Sequence, residues 1–213
     1  MRVRARRQLA DRVVWQCASL LLGYPDETHL RTAARLLEHV DGVAAEQLSR
    51  ALDAVRAVDP MRAAADYVET FDMRGRATMY LTYWTHGDTR GRGAAMLAFA
   101  SAFRASGVAP PADEAPDYLP VVLEFAATVD HAAGRRLLIE HRAPIDLLHT
   151  RLREAGSPYA DAVAAVLTTL PPPGDADIER ARRLASAGPP AEAVGLQPFT
   201  LTVPPRRAHA GGD

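Results

Sequence analysis

The sequence predicts an all-α fold, a single-domain helical bundle. Apolar residues recur at three- and four-residue spacing along most of the 213 residues, strand-like alternation is scarce, and Gly and Pro cut the chain into segments of helical length joined by short gaps. The hydrophobic content of 48% is enough for one sizeable core.

The first helix is expected from Gln8 to Leu22, ending at Gly23-Tyr24-Pro25, a glycine stop followed by proline. Ahead of it, Arg2, Arg4, Arg6 and Arg7 read as a frayed, solvated terminus. A second helix begins near Asp26 and runs to about His39, with Leu30, Ala33, Ala34 and Leu37 on one side. A third spans about Ala44 to Val58, with Leu48, Leu52 and Val55 at helical spacing. Asp59-Pro60 opens the fourth, which carries Tyr67 and Phe71 and meets a break or bend at Gly75. A fifth helix should hold Met79, Tyr80, Tyr83 and Trp84 and end at His86-Gly87. Asp88 or Thr89 then caps a helix through Met96, Leu97 and Phe103 that ends near Gly107.

After a loop containing Pro110-Pro111 comes Glu114-Ala-Pro116-Asp117-Tyr118-Leu119-Pro120-Val-Val-Leu-Glu124-Phe125. Proline is tolerated in a first helical turn, where the N–H groups lack intrahelical partners. Val121, Val122, Phe125, Ala126 and Val129 then make one apolar face, with Glu124 on another side. Asp117 fits a helix cap, and Glu124 fits a solvated face. Two further helices are expected, about Ala133 to Ala155 with a break or restart at Pro144, and Pro158 to Leu170. Pro171-Pro172-Pro173 is a stiff spacer, and a short charged helix covers Asp175 to Ala187. The domain division is thus 1–187 for the helical body and 188–213 for a tail rich in Pro, Gly and Ala, partly disordered. Within the tail, Val194-Gly-Leu196-Gln-Pro198-Phe199 can dock back on the body as an apolar clip.

Composition excludes several function classes. The formal charge is −1, so no bulk basic field points to nucleic acid. All 25 basic residues are arginine, which removes Schiff-base chemistry and a Walker-type phosphate loop. Cys17 is the single cysteine and lies in an apolar run, where it reads as a small core residue. No two of the seven histidines stand three or four apart, so no helical metal pair exists and no metal or other cofactor is expected. No local nucleophile sits with a base, and the chain is read as non-enzymatic. No segment reaches the apolar length of a membrane span and no small-residue cleavage site follows the N-terminal arginines, so no membrane insertion is expected and the location is read as cytoplasmic.

Gly87-Asp88-Thr89-Arg90-Gly91-Arg92-Gly93 has two readings. Arg90 and Arg92 beside backbone N–H groups can hold a phosphate. A tight interhelical turn, with Asp88 as cap, explains more of the residues. The pairs Tyr67/Phe71 and Tyr80/Trp84 are each four apart and are assigned to shared helix faces, mostly core.

Taken together, Tyr67-Val-Glu-Thr-Phe71-Asp72-Met-Arg74, Tyr80-Leu-Thr-Tyr83-Trp84-Thr-His86-Gly87-Asp88-Thr-Arg90-Gly-Arg-Gly93 and the Glu114–Phe125 stretch resemble the nitrate reductase molybdenum cofactor assembly chaperones, also called the nitrate reductase delta subunit, of the redox-enzyme maturation chaperone family. Leu21-Leu-Gly-Tyr24-Pro25 adds support, and Ala115 departs from the pattern, where a larger apolar residue is expected. The resemblance implies one all-helical domain with a groove for a client peptide. The implied partner is the catalytic (alpha) subunit of nitrate reductase, bound through its N-terminal segment and kept competent for molybdenum cofactor insertion before membrane docking. The implied client carries a remnant of a twin-arginine signal and binds as an amphipathic helix in a groove.

An exposed ion pair is worth about 0–1 kcal/mol and a buried apolar anchor about 1.5–3 kcal/mol, so an apolar stripe should supply most of the affinity. The acidic candidates for orienting the client are Asp117, Glu114 and Glu124, with Asp88, and the apolar candidates are Tyr83, Trp84, Tyr118 and Leu119. On this reading, alanine at Asp117 or Glu124 weakens client binding without loss of helix. The alternative is a carrier of a molybdopterin dinucleotide or GTP, with Arg90 and Arg92 on the phosphate.

Overall fold

The computed structural model describes residues 2–73, 77–87 and 89–188. Eleven α-helices are formed among them: α1 Arg2–Leu22, α2 Glu27–Leu37, α3 Gly42–Arg56, α4 Pro60–Val68, α5 Tyr83–His86, α6 Arg90–Ala105, α7 Leu119–Glu124, α8 His131–Glu140, α9 Arg142–Glu154, α10 Tyr159–Thr169 and α11 Asp175–Ala187. Two π-helical turns, Glu69–Met73 and Phe125–Val129, extend α4 and α7. The only β pairing among the described residues is one antiparallel bridge, Tyr80 to Tyr118. The fold class is all-α, as the periodicity predicts. Gly75, Asp88 and the Val194–Phe199 clip lie outside the described residues.

Helix α1 is the centre of the bundle. It packs against α2, α3, α7, α10 and the second π turn, and Trp15, Cys17, Ala18 and Leu22 on it are fully buried. The Trp15 indole N–H donates to Thr169 Oγ1 at 2.8 Å, tying α1 to the end of α10. Burial alone pushes the Cys17 thiol up to about 12, so it stays a thiol, and it donates to the Ala33 carbonyl at 3.5 Å. This matches the core role read from its apolar surroundings. The first helix starts at Arg2 rather than Gln8. Arginine is a good helix former, and Arg6 and Arg7 stay exposed while helical, so the terminus is solvated but not frayed.

Caps behave as their chemistry dictates. Asp26 accepts from the Thr28 and His29 N–H groups, and Asp59 from Met61 and Arg62, with Pro60 in the first turn of α4. The expected long helix after Ala133 is in fact two, α8 and α9. The break falls at His141, and Pro144 sits in the first turn of α9, where it displaces no intrahelical bond. The largest departure concerns the fifth helix. It is four residues long, and Met79 and Tyr80 are extended, because the Met79 carbonyl and the Leu81 N–H are bonded to Leu119 and Asp117. Tyr80 and Trp84 therefore do not share a helix face.

Gly134 in α8 faces the second π turn at a separation that leaves no room for a side chain. A Cβ there would lie 2.3 Å from Ala126 Cβ and 2.4 Å from its Cα, backbone-anchored atoms that cannot swing aside. Gly134→Ala, which on an open helix face stabilises by about 1 kcal/mol, is expected here to destabilise by about 2 kcal/mol. A denaturant midpoint lowered at unchanged slope checks this.

Desolvation holds His141 and His149 below the ordinary histidine range. His141 Nδ1 lies 2.9 Å from the Leu137 carbonyl, which can only accept, so Nδ1 carries a proton. A histidine with a depressed folded value takes up its proton more readily when unfolded. Its contribution is therefore intact above the unfolded value of about 6.5 and is lost as pH falls below it. The thermal midpoint should drop between about pH 7 and about pH 5, before most carboxylates titrate, and His141→Phe should flatten that slope.

Candidate functional site

The Pro-Asp signature is a staple. Leu81 N–H donates to the Asp117 carbonyl at 3.1 Å and Leu119 N–H to the Met79 carbonyl at 2.9 Å, closing the bridge around Tyr80 and Tyr118. The Asp117 side chain adds to it. Its Oδ2 accepts from Thr82 N–H at 3.0 Å and from Thr82 Oγ1 at 2.6 Å. Asp117 and Thr82 are both completely buried. Asp117 does not cap α7, whose N-cap position is held by Tyr118 without a side-chain bond. It organises a segment 35 residues earlier in the chain instead.

A chain of tyrosines leads away from this staple. The pair facing each other across the bridge, Tyr80 and Tyr118, is a non-hydrogen-bonded one, the type that brings side chains closest, and their rings lie 5.1 Å apart. Tyr118 and Tyr67 hydroxyls are 2.8 Å apart, and Tyr67 OH also donates to the Leu22 carbonyl at 3.0 Å. One hydroxyl has one proton and the carbonyl can only accept, so Tyr118 donates to Tyr67. Tyr67 and Phe71 in turn pack on Tyr159 of α10, at 5.7 and 5.1 Å between ring centres. On the other side, Tyr80 OH donates to Glu114 Oε1 at 3.1 Å, and the Arg92 guanidinium lies over the Tyr80 and Tyr83 rings at 5.1 and 5.8 Å. Burial, with Glu114 beside it, pushes the Tyr80 hydroxyl up to about 12. Tyr67→Phe removes a buried pair of hydrogen bonds and should cost about 1–2 kcal/mol in urea unfolding.

Tyr159, where the tyrosine chain ends, forms part of the floor of a solvent-open cleft of about 1200 Å³. The cleft runs between the end of α3, the α4–π-turn segment and the α9–α10 turn. Val55, Val58, Ala63, Ala77 and Tyr159 supply apolar surface. Asp66, Glu69, Glu154 and Asp161 stand around it with Arg62 and Arg151, four carboxylates against two guanidinium groups. Several are paired locally: Arg62 with Asp66 at 2.8 Å, Arg151 with Glu154 at 3.2 Å, and Arg50 from α3 with Asp161 at 2.8 Å. Ala77 and Tyr159 connect the cleft to the staple. Ala77 stands two residues before Met79, and Tyr159 is reached through Tyr67 and Tyr118.

The residues singled out in the sequence divide accordingly. Asp117, Leu119 and Trp84 are buried, at 0%, 0% and 3% exposure, and offer no surface to a partner in this conformation. Tyr83, Tyr118 and Glu114 are half-buried, and Glu124 is exposed on α7. Asp88 lies outside the described residues. None of the described ones lines the cleft. Of the two arginines proposed for phosphate, Arg90 is exposed while Arg92 is laid on the tyrosine rings. The cleft residues carried no spacing signal in the sequence. Arg62, Asp66 and Glu69 fall on one helical face, but that pattern is shared by any solvated helix.

The all-helical bundle packed around α1 is similar to a solved fold. A crystal structure described as a redox enzyme maturation protein from Archaeoglobus fulgidus superposes with a TM-score of 0.57 at 24% identity, covering 74% of this chain and 92% of that one. The model of the nitrate reductase delta subunit family matches residues 37–165, more than half of the chain. The chain belongs to that family. It is 31% identical over 162 residues to the protein named "Probable nitrate reductase molybdenum cofactor assembly chaperone NarJ" of Bacillus subtilis, covering 74% of this chain and 88% of that protein. It is 32% identical over 149 residues to NarJ of Escherichia coli, 67% of this chain and 63% of that one. It is also 61% identical over 157 residues to the nitrate reductase-like protein NarX of Mycobacterium tuberculosis, of whose length the match covers 24%. No helix among the described residues is long and apolar enough to cross a membrane.

Proposed function

We propose that this protein is an assembly chaperone of a respiratory nitrate reductase, acting in the cytoplasm, which takes the N-terminal segment of the catalytic subunit into the α3–α4–α10 cleft and keeps the apoenzyme open for cofactor insertion before membrane docking. The observation that carries this reading is the cleft itself. Small-molecule sites run to about 1,000 Å³ and enclose their ligand. This cleft is about 1200 Å³ and open to solvent, with an apolar floor and a rim richer in carboxylates, which suits a basic amphipathic peptide. The family membership supports the choice of enzyme, since the NarJ relatives are named as its chaperones.

On this account the signature acts indirectly. Asp117 fixes the 79–82 segment, the tyrosine chain fixes Tyr159, and the cleft wall is rigid before the client arrives. Preorganisation of this kind lowers the ordering cost of binding. Titration calorimetry of the full chain with a synthetic peptide of the catalytic subunit's N-terminal segment, and separately with GTP, tests the reading. Saturable peptide binding that survives Arg90→Ala is expected. Tight GTP binding lost in Arg90→Ala, with no peptide binding, would favour the carrier. Glu124→Ala should leave peptide affinity within about two-fold, because an exposed charge contributes little and Glu124 does not line the cleft.

A further inference from the structure

Positive charge gathers where the first turns of α1 pass α8. Helical spacing puts Arg7 and Asp11 on one face of α1, and His131, Arg135 and Ile139 on one face of α8. The two faces, together with Arg136, line a pocket of about 410 Å³ that shares no residue with the α3–α4–α10 cleft. Three guanidinium groups thus stand against one carboxylate. His131 is the informative member. Its side chain is only 9% exposed and stacks on the Trp15 indole, with ring centres 4.9 Å apart. Its Nε2 has no hydrogen-bond partner among the described residues, and Asp11 Oδ2 stands off at 3.6 Å, beyond hydrogen-bond reach. Buried polar atoms are as a rule satisfied. Burial holds the imidazole below the ordinary histidine range and pushes the Asp11 carboxyl up, so neither readily holds its charge without a further partner.

We propose that this pocket binds a small phosphate monoester, with Arg7, Arg135 and Arg136 around the phosphate and His131 Nε2 bonded to one of its oxygens. The site involves neither the client peptide nor Arg90 and Arg92. Guanidinium forks pair two N–H groups with two phosphate oxygens, which suits a chain whose basic residues are all arginine. A phosphate oxygen accepts from a protonated Nε2, and the P–OH of the monoanion donates to a bare one, so either tautomer of His131 is satisfied. The volume exceeds what a bare tetrahedral oxyanion fills and falls among small-molecule sites, and the half-buried Ile139 supplies an apolar wall. Both point to a phosphate carried on a small organic body. Asp11 faces the same space and opposes the anion, which keeps the affinity moderate.

Titration of the full chain with glycerol 3-phosphate and, separately, with inorganic phosphate tests this, followed by calorimetry and by the histidine ring signals in NMR. Saturable binding of the ester is expected, moving the ring signals that disappear in His131→Gln, with inorganic phosphate several-fold weaker. Arg135→Gln should weaken ester binding about ten-fold, because a charge-assisted fork is lost. Asp11→Asn should tighten it several-fold by removing the opposing charge. Arg7→Gln, a change at an exposed residue, should act in the same direction as Arg135→Gln and serves if that variant fails to fold. Arg90→Ala should leave the affinity unchanged. Inorganic phosphate binding as tightly as the ester would assign the pocket to the free anion and overturn the proposal. Equal affinity in every variant, affinity lost in Arg90→Ala, or binding of neither probe would overturn it as well.

Discussion

Asp117→Ala is expected to lower the stability of the folded protein by about 3–5 kcal/mol, because two buried donors lose their acceptor at once. Its carboxylate holds both the N–H and the hydroxyl of Thr82, and both residues are fully buried, so no water replaces the lost acceptor. For a chain of this size each kcal/mol lowers the melting midpoint by about 2–4 °C, so a fall of about 10 °C is expected in a calorimetric scan. Asp117→Asn keeps one acceptor oxygen, and should cost about half as much. The asparagine variant separates two roles that the alanine variant mixes. If Asp117 acts only as a staple, the folded asparagine protein binds client peptide with nearly wild-type affinity. If the carboxylate meets the client's basic end, the folded asparagine protein binds the peptide several-fold more weakly.

Val58→Arg is expected to weaken binding of the catalytic-subunit peptide by ten-fold or more without unfolding the chain. Val58 is 40% exposed at the mouth of the cleft, so its replacement should change stability by no more than about 0.5 kcal/mol. An arginine there removes an apolar anchor worth about 1.5 kcal/mol, close to ten-fold in affinity, and adds like charge facing a basic client. Circular dichroism and the unfolding midpoint should match wild type, so that the loss is read as binding alone.

The helices were legible in the sequence wherever an apolar stripe and a stop signal agreed. Helices α2, α4 and α11 begin and end within a few residues of the positions that Asp26, Asp59-Pro60 and Gly188 mark. Met79 and Tyr80 were misassigned because their state is decided by a partner far away in the chain. Helical spacing is a local signal, whereas the bridge to Tyr118 and the Asp117–Thr82 bonds are tertiary. The same limit explains the site. Asp117 stood out as a carboxylate beside proline, and its chemistry as a hydrogen-bond acceptor was legible. Its target was not, since nothing local in Thr82 announces that its N–H and hydroxyl lack partners. The cleft is assembled from the end of α3, the α4–π-turn segment and the α9–α10 turn, with Val55 and Tyr159 more than a hundred positions apart. Such a surface leaves no contiguous pattern to read.

Amide hydrogen exchange of the full chain, with and without the catalytic-subunit N-terminal peptide, bears most directly on whether the cleft is the client site. Slowed exchange is predicted at residues 54–58, 62–70 and 155–161, with helix α7 and the start of α6 unchanged. Protection confined to the neighbourhood of Glu124 or Arg90, with those three segments unaffected under saturating peptide, would contradict it.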